Sequence, residues 1–216
     1  MGVCVLVLGA SGTGKSTSLR NFKPEEIAVF NAAGKPLPFR GHLPKVDNPT
    51  YEVIKAGLMR NEYKAYVIDD ATYLITFDFF RRAKEKGYEK FVDLALNFES
   101  LLKTAIHGTD PNTIVYFLMH NEPTADNAEK VKTIGKMLDE KLCIEGLFPI
   151  VLNTRVIDGQ YLFITNSNGQ NLAKSPIDML PAEMDNDLKE VDCLIREYWN
   201  LAPTLPEKQA TKKAAK

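Results

Sequence analysis

An α/β fold with a mainly parallel sheet is predicted by three features of this sequence. Apolar strand-like runs alternate with helical stretches through most of the chain. The first run, "VCVLVL" at 3–8, is apolar on both faces, as a strand covered on each side must be. A glycine-rich loop, "GASGTGKST" at 9–17, follows it directly and leads into a helical stretch ending near Asn21, before Pro24.

The remaining elements follow in order. "IAVF" (27–30) is a second short strand, and "NAAGKPLPFRGHLPKVDNPT" after it is a long Gly- and Pro-rich loop, a length usually reserved for functional or mobile segments. Residues 51–61 read as a helix, and "AYVIDD" (65–70) as a third strand ending in two acids. Two helices, 71–86 and 88–107, break at Gly87. "NTIVYFLMH" (112–120) is a fourth strand, 121–132 a polar loop, and a short helix is expected around 134–145. "FPIVLNTRV" and "QYLFITN" flank Asp158-Gly159, a strong hairpin signal. A last amphipathic helix covers about 184–200.

One domain over residues 1–200 is expected, with 201–216 a disordered basic tail that has almost nothing apolar to bury. The 216 residues carry a net charge of −1, so the protein as a whole is no sponge for nucleic acid or anionic membrane; a nucleic-acid site has to be local. Cys4, Cys143 and Cys193, odd in number and far apart, make neither a disulfide framework nor a metal site and suit a reducing cytoplasm. The run at 3–8 is too short to span a bilayer, and Leu6 stands where N-myristoylation wants Ser or Thr, so no membrane partner is expected.

Gly9 to Ser16 matches G-x-x-x-x-G-K-[ST] at every fixed position, which predicts a P-loop. Its glycines, Gly9, Gly12 and Gly14, let successive backbone N–H groups of Ser11, Thr13 and their neighbours turn towards phosphate oxygens, and the following helix adds its positive end. Lys15 then reaches the β- and γ-phosphates of ATP, Ser16 ligates Mg²⁺, and Thr17 approaches the α-phosphate. The alternative is a plain Gly-rich turn, which the strand before and the helix after disfavour.

A P-loop needs a carboxylate at the tip of a nearby strand. Asp69 is the natural Mg²⁺ partner, with Asp70 placed to polarise the attacking water; either could instead cap the helix that follows. In the sheet order usual for ATPases of the additional-strand type, the fourth strand lies between the P-loop strand and the acid-tipped one. Its polar tip, His120 or Asn121, then senses the γ-phosphate. A GTPase is disfavoured because no N-K-x-D guanine signature is present. A small-molecule kinase needs an Arg-rich lid, and Arg81-Arg82 looks like the wet side of a helix instead.

Several segments taken together ("GASGTGKSTSLRN", "GKPLPFRG", "VIDDATYL", "FFRRAKEKGYEKF", "KTIGKMLDEKLCIEG", "AKSP") resemble a family of small phage-encoded RecA-like P-loop ATPases, minimal recombinases linked to single-strand annealing. The likeness spans the chain to about residue 200. It implies a RecA-like sheet flanked by helices with a C-terminal β-hairpin, and an Mg²⁺-dependent ATPase stimulated by single-stranded DNA. It also implies self-association into a ring or filament, and partners among phage recombination or single-strand-binding proteins in the host cytoplasm. On that pattern ATP sits between subunits, with Lys174 or Arg155 as the residue acting across the interface. The 121–132 loop, leading into Lys130, Lys132 and Lys136, becomes the DNA contact; each lysine is equally readable as solvated charge.

One departure from RecA matters. RecA carries a catalytic Glu just past its second strand, whereas 27–40 holds no carboxylate here, so either Asp70 does that work or hydrolysis is slow and ATP acts as an assembly switch. Phe80-Arg81-Arg82-Ala83 matches a short F-x-x-A docking pattern but reads as well as core packing. Phe39 and Arg40 could stack and hold a single strand, or their loop could shape the nucleotide pocket. An ATP-gated adaptor for a protein partner, or a P-loop kinase, are the other functions open to this sequence.

Overall fold

The computed structural model describes residues 1–124, 128–134 and 142–204. The strands are β1 (Val3–Leu8), β2 (Ile27–Asn31), β3 (Lys45–Asp47), β4 (Ala65–Asp69), β5 (Ile114–Met119), β6 (Asn121–Pro123), β7 (Glu129–Val131), β8 (Ile150–Ile157), β9 (Gln160–Ile164) and β10 (Glu183–Asp185). The α-helices are α1 (Tyr51–Met59), α2 (Thr72–Arg81), α3 (Glu89–His107) and α4 (Leu188–Tyr198), and Ser16–Asn21 is a 3-10 helix.

Eight strands form one sheet in the order β10-β9-β8-β1-β5-β4-β2-β3. From β8 through β3 every pairing is parallel, and β9 and β10 close the other side antiparallel. The fourth strand of the sequence reading, β5, lies between β1 and β4 as expected for an ATPase of the additional-strand type. A RecA-like P-loop NTPase fold results.

The period-2 alternation of β1 divides the core. Cys4, Leu6 and Leu8 pack on one face with Phe98 and Leu101 of α3, while Val5 and Val7 pack on the other with Val191 and Ile195 of α4. Both faces are covered, which is why no polar residue interrupts the run. Helix α1 begins at Thr50, whose hydroxyl accepts from the Val53 N–H. The β8–β9 turn places Asp158 and Gly159 at φ of 50° and 79°, the pair of left-handed residues that such a two-residue hairpin needs.

The sequence reading is corrected in four places. The long loop after β2 contains β3, which pairs parallel with β2. The polar loop at 121–132 includes an antiparallel ribbon, β6 paired with β7 from Asn121↔Val131 to Pro123↔Glu129. Phe80 does not pack in the core; it is 64% exposed. The chain also stays packed to 204, where Thr204 is buried with its hydroxyl 3.1 Å from Glu26, whose carboxylate also accepts from Lys189; the rest of the expected tail, 205–216, lies outside the described residues. The helix expected around 134–145 falls mostly on 135–141, outside the described residues; within them Glu145–Leu147 forms one 3-10 turn.

Arg196 holds α4 to the amino ends of two strands. Its Nε and one Nη donate to the buried Asp192 carboxylate at 2.6 and 3.2 Å. The other donors meet the carbonyls of Asn112, Ala202 and Lys64 at 2.8, 2.7 and 2.7 Å, so all five guanidinium N–H groups find an acceptor. Tyr116 adds its hydroxyl to Asp192 at 2.9 Å. Removing one partner from a buried pair costs about 3–5 kcal/mol. Asp192→Ala and Arg196→Met are each expected to lower the unfolding free energy by about that amount, measured by urea denaturation.

Candidate nucleotide site

The loop between β1 and the 3-10 helix curls around its own amide groups. Gly12 and Gly14 adopt φ of 81° and 95°, accessible to glycine at low cost. Gly9 is required for closeness: a Cβ there would lie 1.9 Å from the Thr154 hydroxyl of β8. That hydroxyl in turn sits 3.1 Å from the Leu8 carbonyl and 2.5 Å from the Thr13 hydroxyl, so β8 braces the loop from below. The helical turn entered at Lys15 is tight, with the Ser18 N–H shared between the Gly14 and Lys15 carbonyls.

Lys15 is buried. Its ammonium donates to the Gly9 and Ala10 carbonyls at 2.8 Å each and lies 3.4 Å from His120 Nδ1. Burial pushes its pKa down to about 8, against the pull of Asp70 and Asp69. Ser16 donates its hydroxyl to Asp69 at 2.8 Å. Burial, reinforced by Asp70, raises the Asp69 pKa to about 6.

Asp70 follows at φ 56°, in the left-handed region that Asp tolerates better than most residues. Its Oδ2 accepts from Lys35 at 2.8 Å, and its Oδ1 lies 3.3 Å from His120 Nε2. Burial would raise its pKa, but the contacts from His120 and Lys35 outweigh this and hold it below the usual carboxylate value. Helix α2 has Ala71 at its N-cap position and no side-chain cap bond, so capping is not what the Asp70 side chain does.

His120 sits between Lys15 and Asp70 just past β5, with its backbone N–H donating to the Thr72 hydroxyl at 2.9 Å and its ring edge-on to Tyr73. Its Nδ1 faces Lys15 and its Nε2 faces Asp70 Oδ1 at 3.3 Å, where the buried nitrogen completes no hydrogen bond among the described residues. Of the two sensor candidates His120 alone reaches the site; Asn121 starts the ribbon.

These groups line an open cleft of about 370 Å³ together with Ser11, Thr17, Lys35, Pro36, Pro38 and Tyr161. Lys35 and Tyr161 were not found by sequence reasoning. The signals available were slight: a lysine set between Gly34 and Pro36, and an aromatic beside a hairpin turn. Of the "GKPLPFRG" loop, Lys35, Pro36 and Pro38 shape the cleft, whereas Phe39 packs half-buried against the core and Arg40 is exposed.

The other expected residues lie elsewhere. Arg155 pairs with Glu129 of β7, which also accepts from Asn153 at 2.6 Å. Lys174 bridges by its backbone to Val151, at 2.8 and 2.9 Å. Lys130 stands 3.2 Å from Glu122 across the ribbon, Lys132 is exposed, and Lys136 lies outside the described residues. Arg82 is engaged by Glu85 and Asp93, and among the described residues no arginine lines the cleft. No described helix is long and apolar enough to cross a membrane.

A glycine loop between a buried strand and a helical turn, a lysine inside it, and a hydroxyl facing a strand-tip aspartate one strand away define a P-loop nucleoside-triphosphate site. No protein-family model matches the chain, and no curated protein matches it. Among solved structures it is similar to the KaiC-like protein PH0186 from the hyperthermophilic archaeon Pyrococcus horikoshii OT3, with 14% identity, 75% of this chain and 76% of that one covered, and a TM-score of 0.43.

Asp69 carries a stability consequence. Its folded pKa of about 6 exceeds the ordinary 3.8, so the folded chain holds this proton more tightly than the unfolded one. The group's contribution is therefore fully present below about 3.8 and is lost as pH rises through about 6. Asp69→Asn is expected to raise the melting temperature at pH 7 and to flatten its decline between pH 4 and 6, roughly, in scanning calorimetry.

Proposed function

We propose that this protein is an Mg²⁺-dependent ATPase whose nucleotide state governs its assembly on single-stranded DNA. The observation that carries the ATPase part is the 2.8 Å pairing of Ser16 with Asp69, a P-loop hydroxyl and a strand-tip carboxylate drawn together from opposite sides of β5. Those are the two protein groups that hold Mg²⁺ against the phosphates in P-loop enzymes. Mg²⁺ held by Ser16 and Asp69 would supply charge neutralisation to the phosphates. Lys15 exchanges its loop carbonyls for phosphate oxygens, Asp70 accepts a hydrogen bond from the attacking water, and His120 reports whether the γ-phosphate is present.

The DNA part is supported by the resemblance carried by "GKPLPF" and "TIGKMLDEK" and by the position of the ribbon. β6 begins at the residue after His120, and the Lys132 N–H returns to the His120 carbonyl at 2.8 Å. A displacement of His120 therefore moves both ends of the ribbon, and with it the exposed Lys132. Arg155 acts across a subunit interface only after leaving Glu129. A purely protein-binding, ATP-gated adaptor is favoured by one observation, the exposed aromatics Phe80 and Tyr88 at the α2–α3 corner.

ATP hydrolysis with and without single-stranded DNA, with particle size followed by light scattering in the same samples, separates these readings. Stimulation and growth of the particles, both weakening steeply with salt, are expected for DNA. Unchanged turnover and constant size would remove DNA and leave the adaptor. Lys15→Ala is expected to abolish turnover. Asp70→Asn suits the left-handed backbone and is expected to slow hydrolysis at least about 100-fold, while ATP affinity stays within a few-fold.

A further inference from the structure

The loop after β2 brings a second lysine to the phosphate site on a fixed stem. The buried Asn31 donates its side-chain amide to the Lys35 carbonyl and to Asp47 of β3, each at 2.6 Å. Gly34, at φ 65°, turns the chain back onto the Asn31 carbonyl at 3.2 Å. The Ala32 N–H meets the Asp69 carbonyl at 3.0 Å, tying this turn to the tip of the acid-bearing strand. The backbone that carries Lys35 is thus braced on both sides at the carboxyl edge of the sheet.

The side chain, by contrast, extends from this turn along the open side of the cleft. It is 58% exposed, its ammonium lies 2.8 Å from Asp70 Oδ2, and it passes 5.0 Å from the Tyr73 ring centre. Lys15 and Lys35 together face Asp69 and Asp70, and both ammonium groups are engaged by the protein's own acceptors. A triphosphate brings more negative charge into this cleft than Mg²⁺ and Lys15 alone neutralise. Among the described residues Lys35 is the remaining lysine in the lining, and its ammonium, on a side chain far more exposed than the buried Asp70 it contacts, loses little further water on meeting a phosphate oxygen.

We propose that Lys35 is a second phosphate ligand, which leaves Asp70 for the terminal phosphate of the bound nucleotide. The inference rests on the nucleotide site proposed above and adds to it an ordering of events. Lys35 occupies Oδ2 of Asp70 and His120 faces Oδ1, so departure of Lys35 uncovers one carboxylate oxygen while the other keeps its partner. With a third phosphate there to receive Lys35, Oδ2 of Asp70 loses its lysine donor and offers its full accepting capacity to water. A surface ion pair with no such role would show no preference between di- and triphosphate.

The test compares the 216-residue protein with its Lys35→Ala and Lys35→Arg variants. Affinities for Mg²⁺ with a non-hydrolysable ATP analogue and for Mg²⁺ with ADP are measured by calorimetry, with melting curves confirming the fold. Lys35→Ala is expected to weaken the triphosphate about 10-fold or more, while ADP stays within about 2-fold and Lys35→Arg recovers most of the loss. An equal loss for both nucleotides, or none for either, would overturn the assignment of Lys35 and leave the ATPase reading standing. Wild-type protein that binds neither nucleotide would overturn both.

Discussion

The structure depends on β5 lying in parallel register between β1 and β4. Leu8 pairs with Met119 and Ile68 with Phe117, so three strands end at nearly the same level. The loop leaving β1, the aspartates ending β4 and the histidine leaving β5 therefore open on one edge of the sheet, the position where ligands bind in open α/β sheets. A shift of one strand by a residue would exchange its two buried faces and separate these tips. The opposite edge is secured independently by Arg196, whose acceptors flank the starts of β4 and β5.

The site is held under electrostatic tension. Burial disfavours the charge on Lys15 and on Asp69 alike, lowering one pKa and raising the other. Each charge is retained through partners that phosphate and metal can replace: loop carbonyls for Lys15, the Ser16 hydroxyl for Asp69. Asp70 adds a left-handed backbone to the same small region, local strain of the kind that concentrates at functional sites. Stability forgone here is recovered in the two apolar layers that cover the sheet.

Much of this was legible in the sequence, because it is encoded locally. The alternation in β1, the glycine spacing of the loop, the acids ending β4 and the Asp158-Gly159 turn each follow from a few adjacent residues. What escaped depends on distant partners. β3, β6 and β7 have three residues each, too short to carry a period. Lys35 reads as an ordinary loop lysine until β4 brings Asp70 beside it. Arg155 reads as a free cation until the ribbon supplies Glu129. Phe80 has the apolar character of a core residue, yet the helix turns it outward.

Both borders of the main sheet are three-residue strands, β3 and β10, and each has a charged, exposed residue at either end. Such stubs give another chain too few backbone groups to pair with. Among the described residues the main sheet therefore offers little backbone for strand-to-strand extension by another chain, and its borders are kept from growing by their shortness and their charge rather than by a covering element.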